Sequence, residues 1–204
     1  MKKSRRLLLS IVFLISFLLA ACGRDKRLKE ADSSTMVIGK KGIEVLTVSP
    51  FDTAFYDQEE FIRAASAAAE AYNEENGKNR VTFRSFEVEE DVASLLMGYV
   101  SAKDYEAFNH VFFRNGLLGE EELAEDLRFS KADGSLVMTL SSILKDDSEG
   151  SLRLLALIEP LTVFFPGQVL YVSGDVSLIE GGIKAGKGLG PDELLSEPCY
   201  VVYK

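Results

Sequence analysis

Residues 81–109 read VTFRSFEVEEDVASLLMGYVSAKDYEAFN, and this stretch decides the fold class. Val81 to Val88 and Val92 to Val100 are rich in β-branched, aromatic and aliphatic residues and flank the polar Glu89-Glu90-Asp91, which predicts an antiparallel hairpin. Ser101 then takes an N-cap position with Asp104 three residues on, and Tyr105 and Phe108 share one face of the helix that follows. A hairpin that runs into a capped helix points to an α+β chain.

Upstream, Met36 to Ile38 and Ile43 to Val48 read as two strands around Gly39-Lys-Lys-Gly42. A helix is expected from Asp57 to Glu75, capped by Asp57 with Glu60 in the reciprocal position and ended by Asn76-Gly77. Its apolar face is expected to be Phe61, Ala65, Ala68 and Tyr72, thin enough to lie close on a sheet. Downstream, the three glutamates of Glu120 to Leu127 suit the start of a third short helix. Strands are then expected at Leu136 to Leu144, Leu152 to Ile158, Leu161 to Phe165, Val169 to Val172, Val176 to Ile179 and Tyr200 to Tyr203. Asp133-Gly134, Glu159-Pro160, Pro166-Gly167 and Ser173-Gly-Asp175 mark the turns. The expected fold is α+β: an antiparallel sheet with two to three helices in the N-terminal half, then a β-rich C-terminal part. Residues 36–128 would form the first module and 129–204 a second, packed on it, behind a polar tether at 22–35.

The N-terminus carries a different kind of information. Lys2, Lys3, Arg5 and Arg6 precede an apolar stretch from Leu7 to Ala21 that closes on Leu19-Ala-Ala-Cys22. A spanning helix needs about 20 apolar residues, and the shorter stretch here fits the h-region of a signal peptide over residues 1–21. The segment resembles the lipobox of bacterial lipoproteins. That resemblance implies lipidation of Cys22, cleavage before it, and anchoring to the extracytoplasmic face of the cell membrane by acyl chains that each add about 0.8 kcal/mol per buried methylene.

Loss of the four leader cations takes 23 Lys+Arg to 19 against 32 Asp+Glu, a formal charge of −13. Such an acidic chain repels phosphate backbones, so no nucleic-acid partner is expected. With Cys22 lipidated, Cys199 is the second of two cysteines and has no internal partner, so it is read as a buried strand thiol.

Three motifs touch on chemistry. Gly181 to Gly188 places both glycines and Lys187 at phosphate-loop spacing, but Gly188 stands where Ser or Thr would hold magnesium, and Gly190-Pro191 follows. It is read as a flexible glycine-rich connection, with no nucleotide bound. His110, the one histidine, lacks zinc co-ligands and is expected to be a partly buried helix-end residue. The acidic clusters at Glu59-Glu60, Glu74-Glu75, Glu89 to Asp91, Glu120 to Glu122 and Asp146-Asp147 are read as solvated surface. No catalytic, cofactor-binding or metal residue is assigned.

Tyr99 to Asn109, Phe165 to Ser173 and the stretch Tyr200-Val-Val-Tyr-Lys204 resemble segments of uncharacterised lipoproteins from clostridia-like Gram-positive gut bacteria. The resemblance implies a shared fold and surface location, and no activity. The function expected is a membrane-anchored binding or interaction module for a surface protein or wall polymer. The alternative is a wall- or glycan-directed hydrolase using acidic residues remote in sequence.

Overall fold

The computed structural model describes residues 25–190 and 193–204, so Cys22 and the signal-like segment lie outside the described residues. The chain divides into two compact units, residues 1–31 and Asp32–Lys204. In the first, the short helix α1 (Lys26–Lys29) is capped by Asp25, whose Oδ1 accepts from the Arg27 amide at 2.9 Å.

The second unit is α+β. Strands β1 (Thr35–Gly39) and β2 (Gly42–Pro50) form the first hairpin, followed by helix α2 (Gln58–Asn76). Then come β3 (Val81–Glu89), β4 (Val92–Tyr99), helix α3 (Ala102–Asn109), β5 (Phe113–Leu117) and a single 3-10 turn at Leu118–Glu120. The remainder is β6 (Arg128–Lys131), β7 (Val137–Thr139), helix α4 (Leu140–Asp146), β8 (Arg153–Leu157), β9 (Thr162–Phe164), β10 (Val169–Ser173), β11 (Val176–Ile179), β12 (Gly182–Ala185) and β13 (Cys199–Tyr203).

Among the described residues thirteen strands make two sheets. Sheet A runs β11-β12-β9-β1-β2-β4-β3 and sheet B runs β5-β8-β13-β10-β6-β7. All pairings are antiparallel except β1 with β9, where Thr35 faces Thr162 in parallel. Strands from before and after residue 128 therefore meet in both sheets, at β1·β9 and at β5·β8. The sheets share one core: Met36, Val45, Met97, Val163 and Ile183 of sheet A pack with Leu155, Leu157, Val201 and Tyr203 of sheet B. The second face of sheet B is also covered, because Leu154, Ala156 and Val202 pack beneath Leu140 and Ile143 of α4. Burial on both faces explains why Arg153-Leu-Leu-Ala-Leu157 reads as an unbroken apolar run rather than an alternating one.

The N-cap bonds of both helices form as expected. Asp57 Oδ1 accepts from the Glu60 amide at 2.8 Å, and Ser101 Oγ both accepts from the Asp104 amide and donates to its carboxylate at 2.5 Å. The hairpin tip turns through Glu90 (φ 50°) and Asp91 (φ 61°), the doubly left-handed pair that matches strand twist.

Four expectations need correction. The helix at 120–127 is absent beyond the 3-10 turn: the Glu125 and Leu127 carbonyls accept from Ser141 and Leu140 at the start of α4, so they are withdrawn from a helical ladder. The strand at 136–144 stops at Thr139 and becomes α4, whose buried Leu140 and Ile143 are spaced i, i+3. The glycine-rich connection is in part a strand, β12, held between β9 and β11. On α2, Phe61 and Ala68 are exposed; the fully buried residue is Ala69.

Candidate functional site

Helix α2 is clamped to sheet A at both ends and packs into the core between them through Ala69, while its flank carrying Ala64, Ala65 and Ala68 leaves a space over the sheet. At its start, the Phe61 ring stacks on Phe86 with centroids 4.4 Å apart, and Phe51 meets both rings edge-on. Aromatic pairs of this kind add about 0.5–1.5 kcal/mol beyond their burial. At its end, the Asn73 side-chain amide makes a pair of hydrogen bonds with the Val81 backbone, donating to its carbonyl at 2.7 Å and accepting from its amide at 2.9 Å. Tyr72 packs edge-on against Phe108 of α3.

Beside the buried Ala69, this flank of α2 offers Ala64, Ala65 and Ala68, too short to fill the space above the sheet. The result is a groove of about 320 Å³, roofed by those alanines and Phe61, floored by Thr47, Leu95, Met97 and Tyr99, and closed by Phe108 and Asn109 of α3. This lies at the small end of the range for ligand pockets. Its polar end is the Tyr99 hydroxyl, which donates to Asn109 Oδ1 at 3.4 Å; burial pushes the Tyr99 pKa up to about 12, so the phenol stays neutral.

The wall behind the groove is fixed by a buried charge. Asp104, 2% exposed, accepts from Arg80 Nε at 2.9 Å, from the Tyr72 hydroxyl at 3.3 Å and from Ser101. Every carboxylate oxygen is thereby partnered, the condition for tolerating a buried charge. Tyr105 follows Asp104 on α3 and donates to Glu159 Oε2 at 2.8 Å; burial raises the Glu159 carboxyl above its ordinary range, with the Tyr105 bond opposing it.

Beside the groove the surface is unusual. Residues 52–60 are exposed throughout, including Phe55 at 84% and Tyr56 at 63%. Each ring left in water forgoes about 1.5–3 kcal/mol of burial, so two adjacent ones are not explained by the core. Phe51 touches both Tyr56 and Phe61, making an aromatic path from this loop to the groove.

The motifs singled out in the sequence fall elsewhere. In the phosphate-loop-like segment the amides are already occupied: Gly186 donates to the Asp175 carbonyl at 3.1 Å and Lys187 to Asp175 Oδ2 at 2.9 Å. The chain's own carboxylate fills the place a phosphate would need. Lys184 and Gly186 instead line a separate cavity of about 550 Å³ with Ser33, Ser49 and Thr162. Cys199 is fully buried in β13, its Sγ donates to the Asp175 carbonyl, and burial pushes the thiol up to about 11. His110 ends α3 as expected, in the left-handed region (φ 55°), but it is exposed rather than partly buried. Asp146, Asp147 and Glu149 share a shallow cavity of about 280 Å³. There Asp147 accepts from the Ser151 and Leu152 amides, while Lys204 holds Glu149 below the usual carboxylate range.

Among the described residues no group of three or more His, Cys, Asp or Glu is placed to hold a metal, and no helix is long and apolar enough to cross a membrane. No family model, curated protein or solved structure matches the chain. The groove is only half legible in the sequence: Phe61, Ala65 and Ala68 fall on one predicted face with Tyr72, but the void beneath them follows from clamps at residues 61 and 73 that no local pattern announces.

Proposed function

We propose that this chain is a bacterial lipoprotein, anchored through lipid on Cys22 to the extracytoplasmic face of the cell membrane, whose ectodomain is a binding module. Its partner, a surface protein or wall polymer, enters the groove between α2 and sheet A. The observation that carries the reading is the clamped, alanine-roofed groove of about 320 Å³, an apolar concavity with one polar end. The basic n-region, the apolar stretch and Leu19-Ala-Ala-Cys22 support the anchor. A hydrolase would need a second carboxyl beside the raised Glu159, and the hydrogen-bond partner Glu159 has is Tyr105.

Affinity capture from a surface extract tests the groove directly. The immobilised full chain is expected to retain a defined protein or polymer, and Ala65→Phe, which fills the groove, to retain about tenfold less while unfolding at the same temperature. Equal retention by the two chains, or none by the native one, would remove the support.

A further inference from the structure

The loop carrying Phe55 and Tyr56 is exposed yet fastened. Ala54 donates to Asp52 Oδ1, Phe55 and Tyr56 donate to the Asp52 carbonyl, Phe51 donates to the Asp91 carbonyl, and Thr53 donates to Asp91 Oδ1. Two large rings are therefore presented on a held scaffold, joined to the β3–β4 hairpin tip.

The charge around them is predominantly negative, with Arg63 on α2 and Arg84 on β3 the exposed cations adjoining it in sequence. Asp52, Asp57, Glu59 and Glu60 flank the rings on one segment, Glu89 to Asp91 form the tip of the other, and all seven are exposed. Neither 50–62 nor 86–100 contains a lysine or arginine. Among the described residues none of the seven joins an ion pair. A purely apolar partner would strip water from these carboxylates without compensating them, and an anionic one would be repelled. A cation satisfies both features at once, pairing with carboxylates and sitting over aromatic faces.

We propose that this end of the molecule is the docking surface for a cationic amphipathic polypeptide segment, with an apolar side chain passing Phe61 into the groove and Lys or Arg residues meeting the carboxylates of the α2 start and the hairpin tip. The inference rests on the binding-module reading and supplies its partner's chemistry.

The test uses the full chain in phosphatidylcholine vesicles, with the signal of empty vesicles subtracted. The probes are a fluorescent Lys/Leu amphipathic peptide, its Glu/Leu twin and a neutral N-acetylglucosamine oligomer. The Lys/Leu peptide should bind about tenfold more tightly than the twin, and more weakly as salt is raised. Phe55→Ala with Tyr56→Ala, and separately Glu59→Gln with Glu60→Gln, should each weaken it about fivefold, while Glu120→Gln with Glu122→Gln leaves it within about twofold. The proposal is overturned if the two peptides bind alike, if the distant glutamates matter as much as the near ones, or if the oligosaccharide binds through Phe55 and Tyr56 in the peptide's place. Should the peptide fail while Ala65→Phe still abolishes capture from the extract, the cationic partner falls and the binding module stands; failure of both removes both.

Discussion

At the scale of single residues, two acids in the same neighbourhood have different surroundings. Asp104 has a cation and two hydroxyls on its oxygens. Glu159 has one phenol and a desolvated setting, which raises its pKa from an ordinary 4.5. The native state thus holds a proton that the unfolded chain releases, and the stability linked to Glu159 falls as pH rises from 4.5 through the raised value. Glu159→Gln removes this term, so its urea midpoint should gain on that of the native chain across that window. A gap that stays constant with pH would assign Glu159 no such role. None of this was visible in the sequence, where Glu159-Pro160 is only a turn signal and the phenol that meets it lies in another element.

At the scale of elements, local signals worked where a short-range bond enforces them. Asp57 and Ser101 cap because the amide they satisfy is three residues away. They failed where a distant segment takes over, as at residues 120–127, whose carbonyls serve α4. Strand β12 is the instructive case: its glycines suggested a loop, but Gly182 is there because a Cβ would collide with the Val163 carbonyl of β9. Gly182→Ala should therefore cost about 3 kcal/mol in urea unfolding. Gly181→Ala, with open space but φ 73°, should cost about 1 kcal/mol. A phosphate-loop reading would make Gly181 the more sensitive of the two.

At the scale of the whole molecule, the α+β class and most strands were legible because two-residue alternation and turn residues are local, whereas the sheet order was not, since β1·β9 and β5·β8 join segments far apart in the chain. The proposed lipid anchor is tested at this scale too. Cys22→Ser should abolish incorporation of labelled fatty acid and release the protein from the membrane fraction, and a variant that still takes up label would refute the lipobox. Sheet A joins β12 to β1 only through residues 162–164, and sheet B joins β8 to β10 only through residues 199–203. A chain that emerges N-terminus first can extend sheet A strand by strand, β9 before β12, but it leaves sheet B split between β8 and β10 until β13 arrives. The entropy cost of closing that long loop must be met before sheet B repays it, so the last step of its assembly waits for the C-terminal strand. Removal of residues 199–204 is therefore expected to leave sheet B open between β8 and β10, which limited proteolysis would show as faster cleavage of the shortened chain than of the full one.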